Sequence, residues 1–350
     1  MLSSLVLSVT YRCPVKCKYC GVNAGPHRKE RLSLPVIKRL IEEVRSIGLT
    51  SLVVFTGGEP LLLGEDLYEA VDFATSKGLA TRIVTNAYWA TSYDRALEVL
   101  TRLQEAGLSE INYSCDDFHQ EFIPLDRVKW ANEAAAAIGM PALLAVKGLK
   151  NSLIDIPYLE RFFGVKLAPF HKGRDNPRNN VASYGVTVPV GWECDSITDD
   201  ELLYSDNEDS WKGACASALE RIVITPSGEL AICCGIGSDD FPESRIGNIH
   251  DESLWTLLTR ANEDLIVNWL ALEGPYGIMK HIQAADPSIR FRDRYVNNCH
   301  LCHDIFTRQD TRDILMKTAS SKAPALCISR AWFEEHRAQI FRSDQSTPNN

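Results

Sequence analysis

The chain has 350 residues, of which 45% are hydrophobic and 24% are charged, and its formal net charge is −9. These values lie near globular averages and exclude a wholly disordered, collagen-like or coiled-coil protein. At roughly 150 residues per domain, the length predicts two domains or one large α/β barrel with an appendage. The acidic charge argues against nucleic acid as the main partner, because phosphate binding requires clustered Lys and Arg.

Short β-branched segments alternate with amphipathic helical segments from residue 4 to about residue 170. Near-continuous apolar strands that alternate with helices are typical of a parallel sheet covered by helices. The periodicity fits a partial (β/α)6 barrel and a doubly wound sheet equally well. The six predicted strands cover residues 4–10, 51–57, 80–86, 110–116, 142–148 and 165–170.

The character of the chain changes after residue 170. Residues 171–180 are polar and residues 194–212 are strongly acidic, which is typical of a linker with surface loops. Residues 220–235 predict a β-hairpin, because two apolar segments flank Ser227-Gly228 and glycine allows the positive φ of a tight turn. Further helices are predicted at 251–272, 304–317 and 328–341.

Eleven cysteines are the unusual feature of the composition. The first residues lack a basic segment, the first apolar stretch stops at Tyr11, and nothing elsewhere approaches eighteen consecutive apolar residues. This pattern predicts neither a secretion signal nor a membrane span, and therefore a cytoplasmic protein without a membrane partner. In that reducing compartment, clustered cysteines indicate metal binding or redox chemistry rather than disulfides.

Three of the cysteines, Cys13, Cys17 and Cys20, form a C-x3-C-x2-C triplet directly after the first predicted strand. Three thiolates in one short loop suit three irons of a cubane [4Fe–4S] cluster, and the fourth iron is then left for a ligand outside the protein. The alternative is a structural zinc site. Zinc sites normally pair C-x2-C with a fourth Cys or His, and His27 is the only histidine nearby.

A second motif, Thr56-Gly57-Gly58-Glu59-Pro60, ends the second predicted strand. The two glycines let the backbone approach a ligand closely, and the Glu59 carboxylate suits an ammonium group. With the cysteine triplet, and with Tyr19 before its last member, this motif makes residues 1–170 resemble the radical S-adenosylmethionine (SAM) superfamily.

The resemblance implies a partial TIM-type barrel in which the open iron chelates SAM. One electron then releases methionine and a 5′-deoxyadenosyl radical that abstracts hydrogen from a substrate, so Cys13, Cys17 and Cys20 are the predicted catalytic residues. Flavodoxin or ferredoxin is the implied electron donor. For single residues at strand ends, capping and turn formation are the alternative role. The predicted SAM-binding residues are Tyr19, Gly57, Gly58, Glu59, Pro60, Asn86, Ser114 and Asp116.

A second group consists of Cys215, Cys233, Cys299 and Cys302. Four thiolates close either a cluster or a zinc site, and spacing does not distinguish the two. His300 and His303, beside the C-x2-C pair, are alternative zinc ligands. Because neighbours on a strand point to opposite faces, one of Cys233 and Cys234 is a ligand, and we favour Cys233.

The sequences 218–234 and 245–258 resemble the SPASM/Twitch extension of radical SAM enzymes. This resemblance implies a small C-terminal α+β Twitch-like domain with one auxiliary [4Fe–4S] cluster. The predicted boundaries are 1–190 for the barrel, 191–330 for the auxiliary domain, and 331–350 for the end of the last helix and a polar tail. The cysteines without a predicted ligand role are small buried side chains or hydrogen-atom donors; they are Cys115, Cys194, Cys234 and Cys327.

The predicted substrate is a ribosomally made peptide, because SPASM/Twitch relatives commonly mature such peptides by epimerisation, thioether formation or carbon–carbon cross-linking. Only a dozen residues precede Cys13, so we expect any leader recognition to lie in the barrel, the Twitch region or a separate protein. One alternative is a radical SAM dehydrogenase or another enzyme acting on a small metabolite such as an aminosugar. A further alternative is a non-catalytic iron–sulfur or zinc protein.

Overall fold

The computed structural model describes residues 4–48, 50–171, 176–192, 196–207, 209–233 and 241–343. Within these residues, ten strands form one sheet in the order β10-β9-β8-β1-β2-β3-β4-β5-β7-β6. The strands are β1 (Ser4–Thr10), β2 (Leu52–Gly57), β3 (Ala80–Thr85), β4 (Glu110–Ser114), β5 (Ala142–Gly148), β6 (Ala168–Pro169), β7 (Val181–Val186), β8 (Arg221–Ile224), β9 (Glu229–Ala231) and β10 (Arg245–Asn248).

Twelve α-helices lie in the described residues, six on each side of residue 200. The first six are α1 (Leu34–Ile47), α2 (Glu65–Ser76), α3 (Tyr93–Glu105), α4 (Asp117–Gln120), α5 (Leu125–Ala137) and α6 (Ile156–Phe163). The second six are α7 (Leu254–Glu263), α8 (Leu265–Leu272), α9 (Gly274–Ala285), α10 (Asn298–Thr307), α11 (Gln309–Thr318) and α12 (Ala323–Ser343).

Strands β1 to β5 are parallel neighbours in chain order, each joined to the next through helical segments. Helix α1 packs against α2, α2 against α3, and α3 against α5, so these helices form one layer. On β4, Ile111 and Tyr113 are fully buried while Asn112 and Ser114 are partly exposed. The predicted α/β fold is confirmed, and a single helical layer on an open parallel sheet is consistent with a partial barrel rather than a doubly wound sheet.

The sixth predicted strand, residues 165–170, is much shorter than expected. It contributes only β6, at the edge of the sheet, and β7 lies between it and β5. The sequence analysis missed β7 because Ala, Ser and Gly dilute its β-branched pattern and a polar turn precedes it.

The predicted hairpin is confirmed as β8 and β9, which pair in antiparallel fashion around Gly228 with a φ of 85°. Strand β8 also pairs in parallel with β1, so the hairpin extends the sheet of the first half of the chain. The antiparallel strand β10 was not predicted. The domain boundary expected at residue 190 stays a prediction.

Two of the predicted C-terminal helices are interrupted. Residues 251–272 divide into α7 and α8 because the Asp264 side chain accepts a hydrogen bond from Val267 N at 2.9 Å and starts a new helix. The helix predicted at 304–317 spans parts of α10 and α11, which meet at Arg308. None of the described helices combines the length and hydrophobicity needed to cross a bilayer.

Candidate active site

The cysteine triplet lies in a loop that follows β1 and folds back on itself. Cys13 N donates to Gly25 O at 3.1 Å, and Cys20 N donates to Cys17 O at 3.2 Å. Cys13 and Cys17 are less than 10% exposed. All three side chains line one cavity of about 570 Å³ beside the carboxyl ends of β3 and β4.

The Gly57-Gly58 turn holds the start of this loop. Gly58 N donates to Thr10 O at 2.6 Å, and Glu59 N donates to Arg12 O at 2.9 Å. A Cβ atom on Gly58 would lie 2.3 Å from Arg12 O, and one on Gly57 would lie 2.4 Å from Thr10 O. Glycine is therefore required at both positions, because only its missing Cβ permits this approach of two backbones.

Glu59 is fully buried, and donors from two elements surround its carboxylate. It accepts hydrogen bonds from Thr85 Oγ1 at 2.9 Å, from Asn86 N at 2.9 Å and from Leu61 N at 3.2 Å. Burial raises the pKa of Glu59 to about 7, although these donors oppose the shift. Glu59 and Pro60 do not line the cavity, and Pro60 begins a short 3₁₀ turn.

The other predicted SAM-binding residues do line the cavity, and their contacts to SAM stay predictions. Asn86 Nδ2 lies 3.5 Å from Cys13 Sγ, so this amide faces the triplet. The Tyr19 ring packs edge-on against Phe118 at a centroid distance of 4.2 Å. The lining residues from the predicted set are Tyr19, Gly57, Gly58, Asn86, Ser114 and Asp116.

The second cysteine group lines the same cavity. Cys299 and Cys302 lie in the first turns of α10, which Asn297 caps by accepting from His300 N at 3.1 Å. Burial, with a smaller contribution from the other three thiols, raises the pKa of Cys302. The loop before β8, the end of the hairpin and α10 bring four cysteines to one cavity: Cys215, Cys233, Cys299 and Cys302.

The histidines predicted as alternative zinc ligands do not line the cavity as the cysteines do. His300 is 3% exposed, its Nδ1 accepts from Val296 N at 3.4 Å, and burial lowers its pKa to about 4. His27 is exposed and lies outside the cavity. In the part of the chain that the structure describes, no three His, Cys, Asp or Glu side chains converge closely enough to hold a single metal ion.

Two of the remaining cysteines are described. Cys115 is fully buried in the main apolar core and does not line the cavity, although both of its chain neighbours do. Cys327 is exposed on α12. Cys194 and Cys234 lie outside the described residues, so the choice between Cys233 and Cys234 stays a prediction.

The sequence analysis missed a segment that packs against the triplet loop. Trp192 Nε1 donates to Ala24 O at 3.0 Å, and Lys16 Nζ lies 4.7 Å from the centroid of the Trp192 ring. A Cβ atom on Gly191 would lie 2.7 Å from the Cys20 backbone. Nothing in a Gly-Trp pair after a predicted linker signals such a contact.

Comparison with known proteins agrees with the two N-terminal motifs, which are the cysteine triplet and the turn at residues 56–60. Residues 7–156 match the Radical SAM superfamily profile. The matched residues hold the triplet, the Gly-Gly turn, most of β1, and β2 to β5.

Two sequence relatives and one solved structure illustrate the similarity. The chain is 36% identical over 115 residues to a PqqA peptide cyclase of Rhodopseudomonas palustris, covering 32% of this chain and 28% of that protein. It is 24% identical over 303 residues to a GTP 3′,8-cyclase of Clostridium botulinum, covering 75% of this chain and 89% of that protein. The structure of anSMEcpe with bound AdoMet and Cp18Cys peptide has a TM-score of 0.53 at 15% identity, covering 94% of this chain and 99% of that one, and shares the fold.

Proposed function

We propose that this protein is a cytoplasmic radical SAM enzyme that reductively cleaves SAM and abstracts hydrogen from a peptide. The observation that carries the proposal is that the cysteine triplet and the second cysteine group open onto one cavity of about 570 Å³. Such a cavity suits a cofactor and a substrate held between two metal centres.

The triplet has the donors that a [4Fe–4S] cluster with one open iron requires. Cys13, Cys17 and Cys20 are thiols on one loop, and the next cysteine along the chain, Cys115, is turned into the core. Thiolates are the usual ligands of such clusters. Burial raises the pKa of the Cys13 and Cys20 thiols, so metal binding must drive their deprotonation.

The second group has four thiols and suits a fully ligated auxiliary cluster. Its members come from the loop before β8, the end of the hairpin and α10, as in a Twitch-like module. Cys233 follows β9, which belongs to the same sheet as β1, the strand before the triplet.

When bound, the triplet cluster and SAM supply the 5′-deoxyadenosyl radical that abstracts hydrogen. The chain's own residues position these groups. Glu59 and Thr85 form a buried network that fixes the turn carrying Gly57 and Gly58. Lys147, at the end of β5, lines the cavity and makes no ion pair within the described residues, so it offers a cation for a carboxylate.

A peptide substrate is supported by the similarity to a PqqA peptide cyclase over the first part of the chain. The substrate chemistry of ribosomal peptide maturation includes epimerisation, thioether formation and carbon–carbon cross-linking, and each begins with hydrogen abstraction. The proposed partners are a flavodoxin or ferredoxin as electron donor and a separate leader-recognition protein.

The second candidate is an enzyme that acts on a small metabolite. It is favoured by the match to a GTP 3′,8-cyclase, which extends over 303 residues rather than 115. The two candidates share the same SAM chemistry and differ in what occupies the rest of the cavity.

The SAM chemistry is tested with anaerobically reconstituted protein, dithionite and SAM. We expect release of 5′-deoxyadenosine from the wild type and none from the Cys17→Ala variant. Cys327→Ser is the matched control, because Cys327 is exposed and remote from the cavity. Continued release by Cys17→Ala would refute the triplet assignment.

The substrate is tested with a short peptide encoded beside the gene, deuterated at its side chains. We expect deuterium in the 5′-deoxyadenosine and a modified peptide detected by mass spectrometry. Consumption of GTP in place of the peptide, under the same conditions, would favour the second candidate and contradict the peptide assignment.

A further inference from the structure

The triplet loop has a cationic outer side. Residues 12–31 contain six Lys or Arg residues and one acidic residue, a formal charge of +5 in a chain whose net charge is −9. Burial alternates along the start of this loop. Cys13 and Cys17 are 6% and 7% exposed, whereas the residue before each of them, Arg12 or Lys16, is exposed. The buried thiols and the exposed cations therefore lie on opposite sides of one loop.

A second cleft, of about 560 Å³, opens on this outer side. Its lining includes Arg12, Lys29 and Arg31, and none of the described residues lines both this cleft and the cavity. Arg31 pairs with Asp66, but neither Arg12 nor Lys29 makes an ion pair within the described part of the chain. Arg12 lines the cleft and the next residue, Cys13, lines the cavity, so a single step of backbone separates the two.

The backbone of Arg12 is held on both sides. Its N–H donates to Thr10 Oγ1 at 3.0 Å, and its carbonyl oxygen accepts from Glu59 N at 2.9 Å. Consecutive Cα atoms are about 3.8 Å apart, so the side chains of Arg12 and Cys13 start close together and diverge. A protein seated on Arg12 would therefore lie close to the triplet without entering the cavity.

An exposed tryptophan adjoins these cations. Trp192 is 41% exposed, its Nε1 donates to Ala24 O at 3.0 Å, and Lys16 Nζ lies 4.7 Å from the centroid of its ring. Lys16 also lies beside Gly25, which forms a β-bridge with Arg12. The surface is thus continuous from Trp192 to Arg12, and it combines an aromatic anchor with positive charge, as protein interfaces often do.

The position of this surface decides what kind of partner it fits. Its charge suits a partner with an acidic face. A substrate must enter the cavity before hydrogen is abstracted from it, and the cleft has no lining residue in common with that cavity in the described structure. An electron needs no open channel, because it can cross the short stretch of backbone between the cleft and the cysteines. The surface therefore fits a partner that delivers an electron and keeps its atoms.

We propose that the outer face, formed by Arg12, Lys16, Lys29 and Trp192, is the docking surface for a one-electron carrier protein whose redox centre is surrounded by Asp and Glu side chains. The inference rests on the proposed function, because it requires a cluster at the triplet. On docking, the reduced carrier loses one electron, the oxidised cluster gains it, and no atom is exchanged. Complementary charge speeds this association, and salt weakens the effect.

The contact is mapped by zero-length carbodiimide crosslinking of the reconstituted full-length protein to flavodoxin, which supplies the carboxylates. We expect crosslinks at Lys16 and Lys29, found by mass spectrometry and lost at about 0.5 M NaCl. Lys280 and Lys317 are internal controls, because they are exposed on α9 and α11 and line neither the cleft nor the cavity. Equal crosslinking at all four lysines, or crosslinks confined to other lysines, would overturn the docking surface.

The effect on electron delivery is measured by anaerobic stopped-flow reduction. At low ionic strength, we expect reduced flavodoxin to reduce the Arg12→Gln/Lys29→Gln variant about tenfold more slowly than the wild type. The matched control, Lys280→Gln/Lys317→Gln, loses the same charge and should react at the wild-type rate. Reduced methyl viologen, a small cation that needs no docking, should reduce all three proteins at equal rates.

The outcomes separate this inference from the function on which it rests. The signal of the triplet cluster is the EPR signal that is absent from Cys17→Ala. If reduced methyl viologen produces no such signal in the wild type, both are refuted. A normal signal with equal flavodoxin rates in the wild type and Arg12→Gln/Lys29→Gln would overturn the docking surface alone. Slower reduction of that variant by both reductants would assign the loss to a damaged loop, and would also overturn the docking surface.

Discussion

The carboxylate of Glu59 is fully buried, and the fold opposes its negative charge. Removal from water disfavours its ionised form, and the donors Thr85, Asn86 and Leu61 compensate only in part.

This shift predicts a pH-dependent stability in the metal-free protein. Between pH 4.5 and about 7, the folded state binds more protons at Glu59 than the unfolded state does, so the free energy of unfolding falls as pH rises through this window. Relative to Glu59→Gln, we expect the free energy of unfolding of the wild type to fall by about 3 kcal/mol between pH 4.5 and about 7. Urea unfolding of both proteins at pH 5 and pH 8 measures the difference, and an equal pH dependence of the two would contradict it.

The cysteines were predictable at the residue scale, because spacing alone groups Cys13, Cys17 and Cys20. The direction of a side chain was not predictable. Glu59 was expected to offer its carboxylate to a ligand, yet its oxygens are occupied by Thr85 and by backbone N–H groups. Such contacts form because β3 lies beside β2 in the sheet, and the local sequence pattern does not predict this pairing.

Among the elements, the turn after β2 is tightly constrained by its neighbours. It passes so close to the loop after β1 that Gly58 has backbone, not a flexible side chain, against its missing Cβ. The same loop holds the triplet, so a displacement of this turn would also displace the cysteines.

Gly58→Ala is therefore expected to destabilise the protein by about 1–3 kcal/mol, which is typical of overpacking, and to reduce iron uptake. Gly25→Ala is the control, because its Cβ would meet only Lys16 at 4.0 Å in the same loop. Thermal unfolding and iron analysis of both variants provide the measurement. Similar losses in the two variants would show that the close approach at Gly58 is not the cause.

The first five strands were predicted nearly in full, because their apolar runs are long and uninterrupted. The diluted strand β7 and the break at Asp264 were not predicted, and of the strand predicted at 165–170 only Ala168–Pro169 forms β6. Each depends on tertiary pairing or on a single cap rather than on periodicity. Cys299 and Cys302 lie in helix α10, which begins before the helix predicted at 304–317.

On the scale of the whole molecule, the pairing of β8 with β1 joins the two halves of the chain. Helix α1 reinforces this junction, since Arg39 Nη2 donates to Ile249 O at 2.9 Å and Glu43 Oε2 accepts from Leu254 N at 2.9 Å. We therefore expect the C-terminal hairpin and the parallel sheet to unfold together.

Ile224→Asp tests this coupling, because Ile224 is fully buried on β8 opposite Leu7. An unpaired buried charge should cost about 3–5 kcal/mol and should lower hydrogen-exchange protection in β1 as well as in β8. Ile328→Asp is the control, since Ile328 is 72% exposed. Loss of protection confined to residues beyond 210 would contradict the coupling.

The central claim is that one cavity joins two iron–sulfur sites, one open to SAM and one closed. Iron analysis combined with EPR tests it most directly. The reconstituted wild type should contain about eight irons, and variants with alanine at all triplet cysteines or at all four cysteines of the second group should each contain about four. Added SAM should change the EPR spectrum only where the triplet is intact. Stoichiometric zinc with little iron in the wild type would contradict the account.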